Sequence, residues 1–419
     1  MKERTFYGRF CFPEQKTPKE RSVMKATMFA QTLQLLPWTK IQQTIDHYEG
    51  DKHSKGLRTA DQLRSMLYSQ LSGSSSLSEI CNGLKSYGGL VNHMGISHVP
   101  GKSTLSYANK NRNWEMFAGA YWDTLEHFQK CLRYHGIKPR RLNIKNKLKI
   151  MDSSLLPVCL DVIDWAAYRQ KKGALKLHML LDGHGLLPDD SWITDGKAHD
   201  LEFAREQKFE PGTVILVDRG YNDYTLYDAW HASNCFFVTR LKKNAVYEVL
   251  EQREVPKSKT ERIISDQVIQ LKGTRFRARR IEFYDEEKDE YTQILTNNLK
   301  FAADTIGQLY RLRWEIEIFF RDLKQNFHIK SFVGTTPNAV LIQIWTALLA
   351  ILIAKFMKMR AAFNWSFSNL IALFRVNLLN RMDLDQWLNE PFRVPEEEPD
   401  IGQPFLPGMG FGQHEVITK

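Results

Sequence analysis

The chain has 419 residues, 43% of them hydrophobic and 12% aromatic, which is enough to bury a large core in two or three domains. Five dispersed cysteines without a CxxC pair argue against a disulfide framework or a structural zinc site and indicate a reducing compartment. The amino terminus lacks the apolar core of a signal peptide. The longest apolar run, 339–356, is interrupted by Gln343, Thr346 and Lys355, so we predict a buried helix there and no membrane span.

The positive charge is concentrated in the first third of the chain. The net charge is +10, and residues 1–150 contain 24 Lys/Arg and 11 Asp/Glu, a balance of +13, so the remainder sums to −3. A basic segment on a nearly neutral body is typical of a protein that binds nucleic acid through phosphate contacts. The alternative is a basic surface that keeps the protein soluble and has no partner.

Short helices are predicted after a polar first segment, 1–25, that we expect to be loose. The apolar spacing predicts amphipathic helices over 28–48 and 59–71. A glycine and three serines then break the pattern, and Ser76 with Glu79 three residues later predicts the cap of another helix. This helix-turn-helix outline is typical of DNA-binding domains, although an ordinary helical bundle has the same pattern.

Two further segments of this region have polar or basic character. The sequence GKSTLSYANKNRNWEMF places Lys102, Lys110 and Arg112 along a possible helix. Short helices rich in Ser, Thr, Asn and Lys often contact the DNA backbone and base edges. Residues 130–149 are strongly basic, and we predict a linker or a DNA-facing approach to the next domain.

Strands that alternate with helices predict a mixed α/β sheet in the middle of the chain. The first strand, LKIMDSS, ends on Asp152, and strands expected at 174–181 and 186–193 form a hairpin. A short helix at 200–207 precedes the apolar run TVILV, which ends on Asp218. A helix around 224–232 and the strand CFFVTRL follow.

The remaining chain divides into a β-rich insertion, with strand-like pieces VIQLKG, RFRARRIEFY and EYTQILTN, and an apolar helical region that ends in an irregular tail rich in Pro and Gly. The expected organisation is a loose segment at 1–25, a small helical DNA-binding or accessory domain at 26–145, an α/β domain at 146–360 with the insertion at about 242–300, and a helical region and tail at 361–419.

The most informative segment is a helix predicted from Asp304 to Phe327. At about 100° per residue, one face of this helix aligns four side chains within about 60° of one another, namely Tyr310, Arg313, Glu317 and Lys324. An apolar stripe of leucine, isoleucine and phenylalanine lies on the other side. The helix therefore packs on the body and presents a carboxylate beside two cations and an aromatic hydroxyl, as expected for a metal ion next to a nucleic-acid backbone. Glu315 points about 200° away from Glu317 and is not expected to take part.

Three carboxylates are candidates for one site. Asp152 and Asp218 each end an apolar strand, where polar side chains converge at the edge of a sheet. Glu317 projects from a helix whose apolar stripe would pack against that sheet. Such an all-oxygen site suits Mg²⁺ or Mn²⁺ and not zinc. Two such ions activate water or a 3′-hydroxyl and stabilise the leaving oxygen in an in-line phosphoryl displacement.

These residues together resemble a known family. The pattern Y-x2-R-x3-E-x6-K is complete, and with MDSS and VDRGYNDY it resembles the DDE transposases of the insertion-sequence-four type, which are cut-and-paste bacterial elements. The order of the first Asp, second Asp, β-insertion and Glu matches as well. The segment from GDKHSKGLRTADQLRSMLYSQLSGSSSLSEI to STLSYANKNR resembles the accessory domain of many members, so the resemblance covers about residues 28–360.

The resemblance implies a ribonuclease H-like (RNase H-like) core with a five-stranded mixed sheet flanked by helices. It implies Asp152, Asp218 and Glu317 as the catalytic and metal-binding triad for two Mg²⁺ or Mn²⁺ ions, with Asp152 bridging both. It also implies that Tyr310, Arg313 and Lys324 bind the terminal phosphates of double-stranded DNA, which comprises the element's terminal repeats and the target. A homodimer on paired ends, in the bacterial cytoplasm and on the nucleoid when bound to DNA, is implied as well.

Family members open their ends through a DNA hairpin with a flipped base, often stacked on a tryptophan of the insertion. Residues 241–300 contain no tryptophan. The aromatic residues that could replace it are Tyr247, Phe276, Phe283, Tyr284 and Tyr291. The hairpin step is therefore left open.

Weaker signals and other functions complete the expectations. Arg219 and Tyr221 follow the second Asp and are candidates for DNA contact or for a turn, while His199 and Asp200 are secondary candidates that line the site.

The alternative enzyme is an RNase H-like nuclease or resolvase that cuts without joining. A non-catalytic DNA-binding regulator of the element is a different class, against which the complete set of carboxylates argues. A metal-dependent phosphatase lacks its usual histidine cluster, since the twelve histidines are scattered.

Overall fold

The computed structural model describes residues 26–136, 142, 144–158, 173–185, 187–255, 262–329 and 332–393. The segments predicted to be loose or irregular at the two ends of the chain lie outside these ranges, as does part of the basic segment 130–149. Within the ranges, helices precede and follow one large sheet.

Short helices form the N-terminal part, and their bounds are α1 (Met28–Leu33), α2 (Trp38–His47), α3 (Thr59–Ser72), α4 (Leu77–Lys85), α5 (Lys102–Asn111) and α6 (Glu115–Tyr134). The prediction of one helix over 28–48 is therefore wrong, because two helices form with Pro37 between them. A proline lacks the backbone N–H donor and clashes with the preceding turn of a helix. At the N-cap of α2, Pro37 needs no such donor.

The turn between α3 and α4 has the predicted cap. Gly73, at φ +83°, ends α3 in the left-handed conformation that favours glycine. The Ser76 hydroxyl accepts a hydrogen bond from the Glu79 N–H at 3.2 Å, and the Glu79 carboxylate accepts one from the Ser75 N–H at 2.7 Å. The reciprocal bonds satisfy backbone donors that the helix leaves open.

Replacing Ser76 by alanine is expected to lower the free energy of unfolding by about 1 kcal/mol, because the Glu79 N–H loses its acceptor. Urea denaturation of the purified protein measures this change. Ser78→Ala, on the same helix, is the matched control and should change stability by less than about 0.5 kcal/mol. Equal losses in the two variants would show that the cap is not responsible.

Five strands form the centre of the sheet, and their bounds are β1 (Leu148–Val158), β2 (Gly173–Asp182), β3 (Pro188–Asp195), β4 (Val214–Leu216) and β5 (Phe236–Arg240). They lie in the order β3-β2-β1-β4-β5, in which the first three pair antiparallel and β4 pairs parallel with β1 and β5. Helices α7 (Asp200–Glu206) and α8 (Tyr224–Ala232) connect β3, β4 and β5. This mixed sheet confirms the predicted RNase H-like fold class.

The β-rich insertion continues the same sheet, and its strands are β6 (Tyr247–Gln252), β7 (Arg262–Leu271), β8 (Ala278–Asp285) and β9 (Glu290–Thr296). Strand β9 pairs antiparallel with β5, so the described strands form one sheet that extends in the order β5-β9-β8-β7-β6. The insertion was predicted, but its edge strand β6 was not. The side chains of β6 are mostly exposed on both faces, so the strand has no alternating apolar pattern.

Two helices follow the insertion where one was predicted, and their bounds are α9 (Ala303–Leu312) and α10 (Trp314–Asn326). Arg313 ends the first helix and begins the second, with φ −55° and ψ −30°. Its N–H donates to the Tyr310 carbonyl three residues earlier at 3.2 Å, so the turn is tightened at this point. The single helix expected over 304–327 is corrected to two helices joined at Arg313.

The C-terminal helices are α11 (Pro337–Arg360), α12 (Phe367–Asn377) and α13 (Leu384–Asn389). Of the helices in the described ranges, α11 is the one long and apolar enough to cross a membrane by length and composition, and 89% of its most apolar window is buried inside the protein. It packs on α3, α5, α6 and α12. The predicted buried helix is therefore confirmed.

The first and last described helices share one core. The Met28 N–H donates to the Asn380 carbonyl at 3.0 Å, and the Phe29 N–H donates to the Leu378 carbonyl at 2.7 Å. A continuous apolar core runs from α1 through one face of the sheet to α13, and a second core fills the space between the other face and α7 and α8. The helices before the sheet and the helices after it are therefore packed as one unit.

Candidate active site

Two carboxylates lie side by side where β4 ends. Strands β1 and β4 pair in parallel with Ile150 opposite Leu216. Asp152 and Asp218 are each two residues further along, so the parallel register brings them to neighbouring positions. Asp218 also caps the short 3-10 helix that follows, since its carboxylate accepts the Gly220 N–H at 2.7 Å.

Asp152 has a strongly perturbed carboxyl group. Burial raises its pKa to about 7, and the negative charges of Asp218 and Glu317 act in the same direction. A hydrogen bond from the Ser153 N–H at 2.8 Å and the charge of Arg313 partly oppose this rise. A buried carboxyl group with other carboxylates around it is stabilised as an anion when a cation joins it.

Glu317 approaches the pair from the first turn of α10. Its carboxylate accepts a hydrogen bond from the Arg313 guanidinium at 2.8 Å, and the Arg313 side chain is only 6% exposed. The Glu317 side chain is 39% exposed, so one side of its carboxylate faces solvent. Glu315 lies instead near Asp322, on another face of the helix, as predicted.

The other members of the predicted stripe point toward the same region. Tyr310 is buried, which raises the pKa of its hydroxyl, and the cations beside it are Arg313 and Arg240. Lys324, about two turns after Glu317, donates to the Ser154 hydroxyl at 2.7 Å. Ser154 and Asp152 alternate with Ser153 along β1 and therefore share one face of the sheet. Helix α10 thus packs along the strand and face that carry Asp152.

Asp200 lies in a polar cluster on the opposite face of β1. Its carboxylate accepts a hydrogen bond from the Ser153 hydroxyl at 2.6 Å and lies 3.3 Å from the Lys176 ammonium. His178 is buried 3.6 Å from the same oxygen, and burial lowers its pKa to about 4. Asp200 is therefore linked to Asp152 through Ser153 and does not line the same side of the sheet. His199, at the N-cap of α7, is exposed.

The two residues predicted to contact DNA after Asp218 have different environments. Arg219 is exposed. Tyr221 is 1% exposed, and burial together with the charges of Asp152, Asp200 and Asp218 raises the pKa of its hydroxyl. The predicted DNA contact of Tyr221 is corrected, because an aromatic ring packed in the core beneath the carboxylates presents no surface to a duplex.

A cleft of about 1280 Å³ opens between the insertion and α9 and α10. Four arginines line it, namely Arg240, Arg262, Arg311 and Arg313, together with Tyr284, Tyr310 and Trp314, and we name it the arginine cleft. Its rim in the insertion also carries Lys288 and four carboxylates, namely Asp285, Glu286, Glu287 and Glu290. Arg240 and Trp314 were not predicted as site residues. The signals were present in the sequence, since Arg240 ends the strand CFFVTRL next to the strand of Asp218 and Trp314 follows the arginine of the motif.

The donor set fits a hard divalent cation, although it is not assembled into a finished ion site. Asp152, Asp218 and Glu317 offer oxygen ligands, the type that Mg²⁺ and Mn²⁺ prefer. Within the described ranges, no three His, Cys, Asp or Glu side chains stand close enough together to hold an ion. Glu317 is held by Arg313, so binding an ion requires this carboxylate to exchange its partner.

Asp152→Asn is expected to stabilise the metal-free protein increasingly as the pH rises from 4 to 8. The folded pKa of Asp152 is about 7 against an ordinary value of 3.8, so its stabilising contribution is complete below about pH 4 and is lost as the pH rises through 7. Thermal unfolding should show a gain of the order of 4 kcal/mol at pH 8 that shrinks toward pH 4, because each pKa unit of the shift corresponds to about 1.4 kcal/mol. Asp46→Asn, at an exposed position, is the control. A gain that is independent of pH would contradict the expected titration.

Two family models match the sequence. The model described as transposase DDE domain matches residues 145–353, and a domain of unknown function, DUF4372, matches residues 24–97. The first range contains Asp152, Asp218 and Glu317, and the second contains α1 to α4.

Several curated relatives are named as transposases. A protein of Sinorhizobium fredii is 30% identical over 258 residues, which are 60% of this chain and 70% of that protein. The probable transposase for insertion sequence element IS5377 of Geobacillus stearothermophilus is 27% identical over 52% of this chain and 58% of its own length. The transposase InsG for insertion sequence element IS4 of Escherichia coli is 26% identical over 36% of each chain. This chain thus spans less than two thirds of the last two.

A solved structure is similar at a greater distance. The piggyBac transposase synaptic complex with hairpin DNA has 9% identity and a TM-score of 0.40, and the alignment covers 90% of this chain and 84% of that one. At this TM-score the likeness carries no argument about the site.

The family matches and the mixed sheet define a polynucleotidyl transferase and endonuclease that acts on DNA. The chain belongs to the DDE transposases of bacterial insertion sequences, of the insertion-sequence-four type. Its function is DNA transposition, and enzymes of this family use divalent metal ions.

Proposed function

We propose that this transposase moves an insertion sequence by metal-dependent cleavage of the element's ends followed by strand transfer, with Asp152, Asp218 and Glu317 as the catalytic residues. The observation that carries the proposal is the parallel register that puts Asp152 and Asp218 at neighbouring positions, with Glu317 on α10 near enough for its charge to act on Asp152. A protein that only binds DNA gains nothing from acidic groups that repel one another and the phosphates.

The proposed cofactor is a pair of Mg²⁺ or Mn²⁺ ions held by Asp152, Asp218 and Glu317, with Asp152 as the shared ligand. When bound, such ions activate the attacking water or 3′-hydroxyl and stabilise the leaving oxygen in an in-line displacement. The chain itself supplies the carboxylates: the parallel register puts Asp152 and Asp218 at neighbouring positions, and Glu317 lies in the first turn of α10. Burial of Asp152 also strengthens its interaction with any cation at this point.

Tyr310, Arg313 and Lys324 are proposed to bind the terminal phosphates. The Arg313 side chain is buried, and its Nε has no hydrogen-bond partner among the described residues. A guanidinium that donates to Glu317 can donate instead to two oxygens of a phosphate once an ion takes over the carboxylate. Arg219, which is exposed next to Asp218, is proposed on the same DNA surface. His199, which is exposed, remains a secondary candidate at its margin, whereas Asp200 belongs to the cluster on the opposite face of β1.

A flipped base, if the reaction passes through a hairpin, requires an exposed aromatic residue near the carboxylates. Phe276 is buried in the second core, so it is unsuited to this role. Tyr284 and Tyr291 face each other across β8 and β9 with ring centroids 4.9 Å apart, and Tyr284 lines the arginine cleft. Trp314, 52% exposed in the same cleft, adds a tryptophan from outside the insertion. We propose Tyr284 and Trp314 as the stacking surfaces.

The proposed substrates are the double-stranded terminal repeats of the element and the target DNA, held by a homodimer on paired ends. Residues 26–145 are proposed as the helical DNA-binding or accessory domain, residues 146–360 as the catalytic domain and residues 361–419 as a helical region and tail. The proposed location is the bacterial cytoplasm, with nucleoid association through bound DNA.

The experiment is an end-cleavage assay with purified protein and a labelled duplex that carries its own element's end, in Mg²⁺, in Mn²⁺ and in excess chelator. Nicking at the end in either metal, together with hairpin or strand-transfer products, is the expected result. Cleavage without any joined product would favour the nuclease or resolvase. End-specific binding without cleavage in either metal would favour the DNA-binding regulator.

A further inference from the structure

We propose that α5 and the loop at residues 51–58 form one surface that binds duplex DNA, named here the basic surface. This inference rests on the proposed function, because it assigns the part of the N-terminal region that contacts the element. The surface lies outside the carboxylate site, and its helix lies outside the matched family models, since α5 begins at Lys102 and the second model ends at residue 97. The loop at residues 51–58 lies within the second model, which is described as a domain of unknown function.

The outer face of α5 is polar and has no acidic residue. The sequence of the helix, KSTLSYANKN, contains two lysines and no Asp or Glu. Leu105, Ala108 and Asn109 are buried and anchor the helix. Its exposed side chains are Lys102, Ser103, Thr104, Ser106, Tyr107, Lys110 and Asn111. Such side chains donate to phosphates and to base edges.

Tyr107 at the middle of this face is 71% exposed. An aromatic ring in water at the centre of a polar helix face is costly unless a partner covers it, and tyrosine suits an interface that is apolar on one side and wet on the other. Its neighbours one turn away are Ser103 and Asn111, so the ring is flanked by groups that hydrogen-bond to nucleic acid.

Arg112 joins the loop to the helix. Its guanidinium donates to the Ser54 hydroxyl at 3.2 Å, to the Leu57 carbonyl, and to Gln62 of α3 at 3.0 Å. Arg112 therefore faces inward, which corrects the expectation that it contacts DNA together with Lys102 and Lys110. Gln62 in turn donates to Asn109 of α5 at 2.7 Å, so a buried polar network fixes the loop, α3 and α5 in one orientation.

The loop adds cations next to the end of α5. Lys52, Lys55 and Arg58 are exposed. The acidic residue of the loop, Asp51, points inward, where its carboxylate accepts the Thr59 N–H at 2.7 Å and the Thr59 hydroxyl at 2.8 Å. Two exposed acids border the surface: Glu49 is paired with Lys52 at 2.6 Å, and Glu115 accepts a hydrogen bond from the Asn113 amide at 2.9 Å. Within α5 and residues 51–58 the basic surface carries five exposed cations and no exposed carboxylate, which complements a polyanion.

The test measures binding of the full-length protein to a labelled duplex from the DNA that flanks its gene, without divalent metal, over a range of salt concentrations. The double variant Lys102→Gln/Lys110→Gln is expected to bind about tenfold or more weakly and to lower the slope of log affinity against log salt by about two. Tyr107→Ala is expected to bind more weakly with an unchanged slope. The charge-matched control is Lys272→Gln/Lys300→Gln, which changes two exposed lysines of the catalytic region and leaves α5 unchanged. This control is expected to bind the duplex with a smaller loss of affinity than the α5 variant.

Binding and salt slope within error of the wild type in the double variant, with unchanged thermal unfolding, would overturn the proposal. So would an equal loss in the control variant, since any surface charge would then suffice. Because no metal is present, a failed cleavage assay with the wild type leaves this result interpretable. The basic surface and the catalytic triad are therefore tested separately.

Discussion

Replacing Glu317 by glutamine is expected to reduce end cleavage and strand transfer by about 10³-fold or more. Gln keeps the size of the side chain and removes its charge, so the site loses one of three anionic ligands while the helix keeps its packing. A loss of about 4 kcal/mol in transition-state stabilisation corresponds to this factor. The measurement is single-turnover cleavage of a labelled end in Mg²⁺ and in Mn²⁺.

The matched control is Glu315→Gln, which makes the same chemical change two residues earlier on the same helix. Glu315 faces Asp322 and not the carboxylate pair, so cleavage should stay within about threefold of the wild type, the effect expected of a surface charge. DNA binding by the Glu317 variant should be retained or improved, because Arg313 is released from its ion pair. Comparable activity of the two variants would exclude Glu317 as a ligand.

Asp266→Ala in the insertion is expected to lower the free energy of unfolding by about 3–5 kcal/mol, the usual cost of leaving one charge of a buried ion pair alone. Asp266 accepts two hydrogen bonds from Arg279, at 2.8 Å and 2.6 Å, and both side chains are at most 4% exposed. Arg279 also donates to the Phe301 carbonyl at 2.5 Å, so the pair joins β7 and β8 to the segment before α9. Denaturant unfolding monitored by circular dichroism measures the loss.

Glu286→Ala is the control for this prediction, because it breaks an exposed pair of the same insertion. Glu286 lies 3.2 Å from Arg262, and the two side chains are 70% and 62% exposed. Exposed pairs contribute about 0–1 kcal/mol, so little change is expected. If both variants lose the same stability, burial does not govern the energetics of the Asp266 pair.

Helices and strands whose apolar residues recur at a regular spacing could be predicted from the sequence. Helix α8 has the ends that were predicted for it, and the apolar run TVILV leads to Asp218 as predicted. The strand of Asp152 was also predicted, but it runs past this residue to Val158 instead of ending there. The stripe from Tyr310 to Lys324 is likewise a sequence property, and the described contacts bring it to the face of β1 that carries Asp152.

The features that were missed depend on contacts between distant segments. Strand β6 has almost no buried side, so only its pairing with β7 makes it a strand. Tyr221 reads as polar and accessible in the sequence, but the second core encloses its ring. From the sequence, Arg112 was expected to be a surface cation of a basic helix. In the structure it faces inward, because it donates to the Leu57 carbonyl of the loop and to the Gln62 amide of α3. The partners of β6 and of Arg112 are more than ten residues away along the chain.

The bonds between α1 and the segment before α13 have a consequence for the synthesis of this protein. The backbone N–H groups of Met28 and Phe29 donate to the carbonyls of residues 380 and 378. These acceptors leave the ribosome only after nearly the whole chain has been synthesised. The early helices therefore complete their packing last, whatever order their secondary structure forms in. A premature stop codon in the final α-helices leaves an N-terminal fragment without the backbone acceptors of α1 and without the apolar residues that these helices add to the core. Such a fragment would be degraded rather than persist on the element's ends as a competitor of the intact enzyme.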